Sequence, residues 1–485
     1  MFHKWLRRQS LAFVTLIFSA VFFLSAANVD GLWTASRQAL PLLAGSQQAV
    51  EAFGASDAGS YLQVAIRLQE LGIRGAEGYF WVFNLWAPGM VFLDLVIVLL
   101  EEWTRIPYML LTVLVASLVW GFTLGSLFEY VRARSSAIAA VGISAFVLLS
   151  SLVSPFGTTF IAFADGYAAC AAVLSVLYLA RASEQKDRAK KFKFWSLSIF
   201  ALAFAVHMRS VYETVTVATF LLASIGLSIV FLVHKFRRLA TNFRLIEPFW
   251  PLFLVSTLTL LLTVPWRLVA GLWIRPGDFS WSVSTSPNSY IWTLRWMPDK
   301  YLEDQGMGWL VGTGVNYACK VDSSRCIDIF DSEMSSEAPY SGGDSGFHTY
   351  PEFFSLLVTS VVEYPVGYLL DRLAWFFAGF FSKTGSNVGD PAIPEALILL
   401  IGAIVIAFVV ALRPSVFSAP FAFGLVQTLV MSAVLLVIHM ETRYMAGIKM
   451  TIIVLFALSI PHLKEIFGKP KTPDIDSVGI AWPKK

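Results

Sequence analysis

PYMLLTVLVASLVWGFTLGSLFEYVRARSS (107–136) decides the fold. Its apolar part, 107–130, is long enough to cross a bilayer core of roughly 30 Å, which takes about 20 apolar residues of helix. It ends on Arg132 and Arg134, a basic turn of the kind that stays on the cytoplasmic side of a membrane. Similar runs recur along the 485-residue chain, which is 56% hydrophobic and only 14% charged, with a mean hydropathy of +0.67. That is more apolar surface than a soluble domain can bury, so lipid is the main solvent. Backbone groups cannot go unpaired in lipid, and runs this continuous lack the alternation of barrel strands. The fold class is therefore an all-α polytopic membrane protein.

Sidedness follows from the cations. Basic clusters stand at Lys4, Arg7 and Arg8, at Arg132 and Arg134, between Lys186 and Lys193, at Lys235, Arg237 and Arg238, at Arg413, and at Lys464, Lys469 and Lys471. With each cluster inside, residues 11–29 cross outward and 107–130 cross back. The under-length apolar segment 86–100, which follows Trp81, Trp86 and Pro88, then lies in the outer interface rather than across the bilayer. Further spans are expected at 135–154, 166–182, 194–210, 213–233, 249–273, 393–412, 417–439 and 446–461, about ten crossings with both termini cytoplasmic. The start of the chain also has the look of a signal peptide. An uncleaved first helix is the better reading, because the apolar run is long and more spans follow.

Three regions result: a transmembrane module over 1–273 with a first external loop at 30–106, an external region over 274–391, and C-terminal spans with a tail over 392–485. The external region is turn-rich and polar, with GDFSWSVSTSPNSY (277–290) as an example, and little regular structure is expected in it. Within it, 353–384 is apolar but broken by Pro365 and charged at Glu363, Asp371 and Arg372, which suits external interfacial helices. Cys319 and Cys326 in CKVDSSRC would form a small disulfide loop if that face is oxidising. Cys170, in an apolar run, reads as a packed core residue. A net charge of +3 implies no polyanion-binding surface, so nucleic acid is not a partner.

Chemistry-bearing side chains gather on the outer side of this topology. Asp57 sits in GASDAGSYLQVAIRLQELG (54–72), where a small-residue turn leads into a helix that places Tyr61 on the same face at i+4. Asp165 opens a span in FADGYAA (163–169). Helix capping accounts for either acid alone. A carboxylate at a membrane boundary is nevertheless a functional candidate, and two on one face strengthen the case. Cations and polar groups also occur there, against the positive-inside bias: His207, Arg209 and Glu213 in VHMRSVYE, Arg267 in VPWRL, and His439, Glu441, Arg443 and Tyr444 in HMETRYMAG. Either they pair internally, as Glu441 with Arg443 and Glu213 with Arg209, or the guanidiniums form a phosphate site.

The order of these features resembles the C-type (GT-C) membrane glycosyltransferases, which include the protein mannosyltransferases and the bacterial aminoarabinose transferases. That family has an acid in the first external loop, a proline-containing aromatic segment with an interfacial helix, and an RLP-like start of the next span. Asp57, NLWAPGMVFLDLVIVLL (84–100) and TRIPYMLLTVLV (104–115) are similar to these. RARSS is similar to the cytoplasmic Arg turn, FADGYAA to the second acidic motif, and HMETRYMAG to an ERY-like motif near the end. The first acid here is a single Asp rather than the adjacent acidic pair of the protein mannosyltransferases, and 274–352 resembles nothing in the family.

The resemblance implies an inverting transfer of sugar from a polyprenyl-phosphate donor to a glycan, lipid or protein acceptor on the external face. Asp57 and Asp165 would be catalytic. Arg209, Arg443 and Arg267, with His207 and Tyr444, would hold the donor phosphate, supported by Tyr61, Glu441 and His439. No cofactor is obligatory, although a divalent metal is compatible with the carboxylates. The alternatives are a transporter or flippase of a lipid-linked sugar, and a glycan polymerase or ligase using diphosphate-linked donors. Compact loops and short tails point to a bacterial inner membrane, with the site facing the periplasm.

Overall fold

The computed structural model describes residues 11–27, 32–33, 39–40, 42–53, 57–79, 82–85, 87–150, 164–237, 249–274, 350–384, 391–413, 416–437 and 442–467. Helices make up nearly all of it: α1 (Leu11–Ala27), α2 (Ser46–Phe53), α3 (Asp57–Gly75), α4 (Val82–Leu85), α5 (Gly89–Thr104), α6 (Tyr108–Arg134), α7 (Ala137–Leu149), α8 (Ala164–Glu184) and α9 (Arg188–Met208). They continue with α10 (Val211–Arg237), α11 (Phe249–Val269, extended by a π turn to Ile274), α12 (Tyr350–Glu363), α13 (Pro365–Phe381), α14 (Ile393–Leu412), α15 (Ala419–Val437) and α16 (Met445–Phe467). Regular β structure among the described residues is a two-residue antiparallel pair, Leu32–Trp33 with Ala39–Leu40.

Seven described helices are long and apolar enough to cross a membrane: those starting at Tyr108, Ala164, Val211, Phe249, Ile393, Ala419 and Met445. The protein is an integral membrane protein. Local chemistry sets the helix boundaries. Pro107, in an extended conformation, precedes α6, Ser136 caps α7 by accepting from the Ala139 amide at 3.1 Å, and Asp187 caps α9 by accepting from the Ala189 amide at 2.9 Å. The span expected over 135–154 is shorter in the structure: α7 stops at Leu149, and 13 residues of helix cover only about 20 Å. The helix predicted at 86–100 is present as α5, and the apolar stretch around Pro365 is two helices, with Pro365 opening the second. The cysteine pair Cys319 and Cys326 lies outside the described residues, as do His439 and Glu441. Cys170 is fully buried, as its apolar run suggested.

The core is made by α8, which packs on α6, α9, α15 and α16 and is buried along nearly its whole length. Against one end of this bundle stand α3 and α5. Glu101 of α5 ties them down, because its carboxylate accepts from the backbone amides of Ser46 (3.2 Å) and Tyr108 (3.2 Å), the starts of α2 and α6. Both amides would otherwise be unpaired helix-end donors. Tyr108 in turn donates its hydroxyl to the buried Asp94 at 2.8 Å. Burial raises the Asp94 carboxyl well above the usual carboxylate range. At the start of α5 the chain passes so close to the end of α9 that a Cβ on Gly89 would lie 2.6 Å from the His207 carbonyl oxygen. A glycine there brings the first-loop helices against the segment that carries Arg209.

On the other flank, Lys449 of α16 is completely buried. Its ammonium donates to Glu395 of α14 at 2.8 Å and to the Ser382 carbonyl, just beyond α13, at 2.9 Å. Three segments are pinned together at that point.

Candidate active site

Four helix ends meet where the acids are. Asp57 is the first residue of α3 and Asp165 the second of α8, so each carboxylate sits in a first turn, where the helix dipole favours negative charge. Arg209 directly follows α9, and Arg443 lies in a single 3-10 turn, Thr442–Tyr444, leading into α16.

The side chains form an alternating chain of charge. Arg209 makes a two-pronged contact with Asp165, Nε to Oδ1 at 2.7 Å and Nη2 to Oδ2 at 2.5 Å. Arg443 donates through Nη2 to Asp57 Oδ2 at 2.7 Å, and its Nε stands 3.8 Å from Asp165 Oδ2. Arg443 thus reaches Asp57 across a sequence separation of 386 residues while standing beside Asp165 as well. The Tyr444 ring is within cation–π reach of both guanidiniums, with its centroid 5.2 Å from Arg209 Cζ and 5.4 Å from Arg443 Cζ. Tyr61, one turn after Asp57, is buried at 1% exposure. Burial first, and the Asp57 carboxylate second, push its phenol well above the ordinary range, so it stays a neutral donor.

Beside this chain lies a cavity of about 130 Å³. One side is polar, made by Asp165, Arg209, Arg443 and Tyr444, and the inner side carries Tyr212 and Met431. The arrangement offers two guanidinium forks, whose geometry suits phosphate oxygens, next to two carboxylates able to accept a proton.

The structure therefore assembles Asp57, Asp165, Arg209, Arg443, Tyr444 and Tyr61, all singled out from the sequence. It does not assemble Arg267 and His207 with them. Arg267 pairs with Glu213 and receives further support from Thr263 at 3.1 Å, while His207 turns Nδ1 to the Ala203 carbonyl of its own helix at 2.7 Å. The internal pairing expected for Glu213 is accordingly with Arg267 rather than with Arg209. Sequence reasoning passed over Tyr212 and Asp94. A tyrosine at the start of an apolar span, and an acid inside the quoted run NLWAPGMVFLDLVIVLL, were the available signals. Among the described residues no group of three His, Cys, Asp or Glu side chains comes together as a metal site would require.

No protein-family model matches the sequence, and no curated protein matches it. In fold the chain is similar to the Archaeoglobus fulgidus oligosaccharyltransferase tethered to an acceptor peptide containing the NVT sequon, at 10% identity and a TM-score of 0.47, over 96% of this chain and 50% of that one. It is also similar to ArnT from Cupriavidus metallidurans in the apo state, at 14% identity and a TM-score of 0.36 over 92% and 76% of the two chains. ArnT bound to undecaprenyl phosphate gives 11% identity and a TM-score of 0.36 over 93% and 77%. The chain spans about half the length of the archaeal enzyme, and at these identities no residue correspondence follows.

Proposed function

We propose that the protein is an inverting glycosyltransferase of the C type, moving a sugar from a polyprenyl-phosphate donor to a hydroxyl of a glycan, lipid or protein at the external face of the membrane. The observation that supports this most is the chain Asp57–Arg443–Asp165–Arg209, of which Asp165, Arg209 and Arg443 line a cavity. Two carboxylates and two guanidiniums cancel in formal charge, so an arriving phosphate must compete with a carboxylate for its guanidinium. Arg443 is the exchangeable partner, because it holds Asp57 through a single nitrogen, whereas Arg209 grips Asp165 through two.

The exchange couples binding to catalysis. Phosphate taking Arg443 releases Asp57 as a general base. The acceptor oxygen attacks the anomeric carbon from the face opposite the phosphate, and its proton passes to Asp57. The anomeric C–O bond to phosphate breaks with its electron pair on the phosphate oxygen, and Arg443 and Arg209 hold the added charge. Attack opposite the leaving group inverts the anomeric centre. Asp165 keeps the Arg209 fork aligned. The donor set does not fit a resident metal, since each carboxylate is held by a guanidinium, and the reaction as written has no metal step. Residues 1–273 and 392–485 would form the membrane scaffold and 274–391 the acceptor-selecting region, with the site on the periplasmic side of a bacterial inner membrane and both termini cytoplasmic.

The test is to give the purified protein, reconstituted with envelope extract as acceptor source, undecaprenyl phosphate carrying a labelled hexose. Transfer of label with release of undecaprenyl phosphate is the expected result. Movement of the intact donor across the bilayer would make the protein a flippase, and use of diphosphate-linked glycans alone would make it a polymerase or ligase.

A further inference from the structure

The inner side of the cavity differs chemically from its charged mouth. Tyr212, in the first turn of α10, is buried at 2% exposure and lines the cavity. Its hydroxyl makes no hydrogen bond to any described residue, although its neighbours are close. A Cβ added at Gly447 would lie 2.5 Å from Tyr212 Oη and 2.4 Å from Met431 Cε, so the absent side chain at Gly447 is what lets the Tyr212 hydroxyl and Met431 seat there. Met431 and Leu435, one turn apart on α15, make the apolar part of this wall.

A hydroxyl at a cavity wall with no protein partner is open to a ligand or water. The charged mouth already supplies what a phosphate needs. A neutral hydroxyl beside two apolar side chains at the cavity wall suits instead a group that is apolar on its faces and hydroxylated at its edge. We propose that Tyr212 Oη, seated against Gly447 at the cavity wall, forms the sugar-reading subsite, with the Tyr212 hydroxyl bonded to a ring hydroxyl of the transferred sugar. Tyr212 then fixes which sugar is carried, while Arg209 and Arg443 hold the phosphate. This deepens the glycosyltransferase reading and rests on it.

The experiment compares two probes in detergent, undecaprenyl phosphate and its hexosyl ester, on the wild type, Tyr212→Phe, Gly447→Ala and Arg443→Ala. Tyr212→Phe removes only the oxygen, so the thermal midpoint should hold. Its affinity for bare undecaprenyl phosphate should stay within about twofold, and that for the hexosyl ester should fall about three- to tenfold, the loss of one neutral hydrogen bond. Gly447→Ala should discriminate in the same direction, because its methyl would displace the Tyr212 hydroxyl. Equal losses with both probes would place Tyr212 on the phosphate and overturn the proposal, as would no loss with either. The underlying reading fails separately if the wild type binds neither probe, or if Arg443→Ala binds bare undecaprenyl phosphate unchanged.

Discussion

Two clusters of buried charge flank the start of α16, and they are built for opposite purposes. Arg443, just ahead of the helix, bonds to Asp57 and stands near Asp165, the partner of Arg209, beside an open cavity. Lys449, in its second turn, is sealed at 0% exposure between Glu395 and the Ser382 carbonyl. Both satisfy the rule that charge inside a membrane protein must be paired. The Lys449 ammonium is a compact charge closed in by one carboxylate and one carbonyl, a contact that fastens α13 and α14 to α16. The arginine chain instead has more acceptor atoms than any one contact uses, and it opens on a cavity. Burial of charge alone therefore does not single out a candidate site; the proposed one is the cluster that opens on a cavity.

Breaking each cluster should give different symptoms. In the arginine chain, Asp57→Asn should cut sugar transfer about 10²- to 10⁴-fold, the usual worth of a general base, while the variant unfolds near the wild-type temperature. Turnover at wild-type rates in that variant removes Asp57 from the chemistry. In the sealed cluster, Lys449→Met strands a buried carboxylate and should cost about 3–5 kcal/mol of stability, read by thermal or denaturant unfolding. Adding Glu395→Leu to it should restore most of that loss, because the pair is then replaced by apolar groups. A double variant no more stable than the single one would mean the ion pair is not what holds α14 to α16.

Smaller effects sharpen the contrast. Arg443→Lys keeps the charge but loses the planar fork, and affinity for undecaprenyl phosphate should drop about tenfold. Arg267→Gln, at a site that looks alike in sequence but pairs with Glu213 away from the cavity, should change that affinity less than about threefold. If Arg267→Gln weakens binding as much as Arg443→Lys does, the phosphate site extends beyond the cavity described here.

That last pair shows where sequence reading stops. The apolar runs and basic turns predicted helices at the expected places because bilayer thickness and backbone hydrogen bonding leave few alternatives. The acids Asp57 and Asp165 stood out because charge at the end of an apolar run is costly and so informative. Which cation meets which acid was not legible. Arg209 and Arg443 each sit at a helix end beside a plausible partner in sequence, Glu213 and Glu441, yet Arg443 finds an acid 386 residues away and Glu213 pairs with Arg267. Tyr212 and Lys449 were hidden for a related reason: a tyrosine or lysine inside an apolar helix acquires its meaning only from what faces it. The length of α7 was overestimated because an apolar composition continues past Leu149, where the helix ends.

The central claim is that phosphate displaces Asp57 from Arg443 and frees it as a base. It is tested most directly by single-turnover transfer from undecaprenyl phosphate bearing a labelled hexose, comparing wild type with Asp57→Asn and measuring bound donor and released undecaprenyl phosphate together. The account predicts that Asp57→Asn binds the donor at least as tightly as wild type, since the guanidinium no longer has a charged carboxylate to give up, yet releases almost no undecaprenyl phosphate. Weakened donor binding with the bound fraction still turning over at the wild-type rate would contradict it.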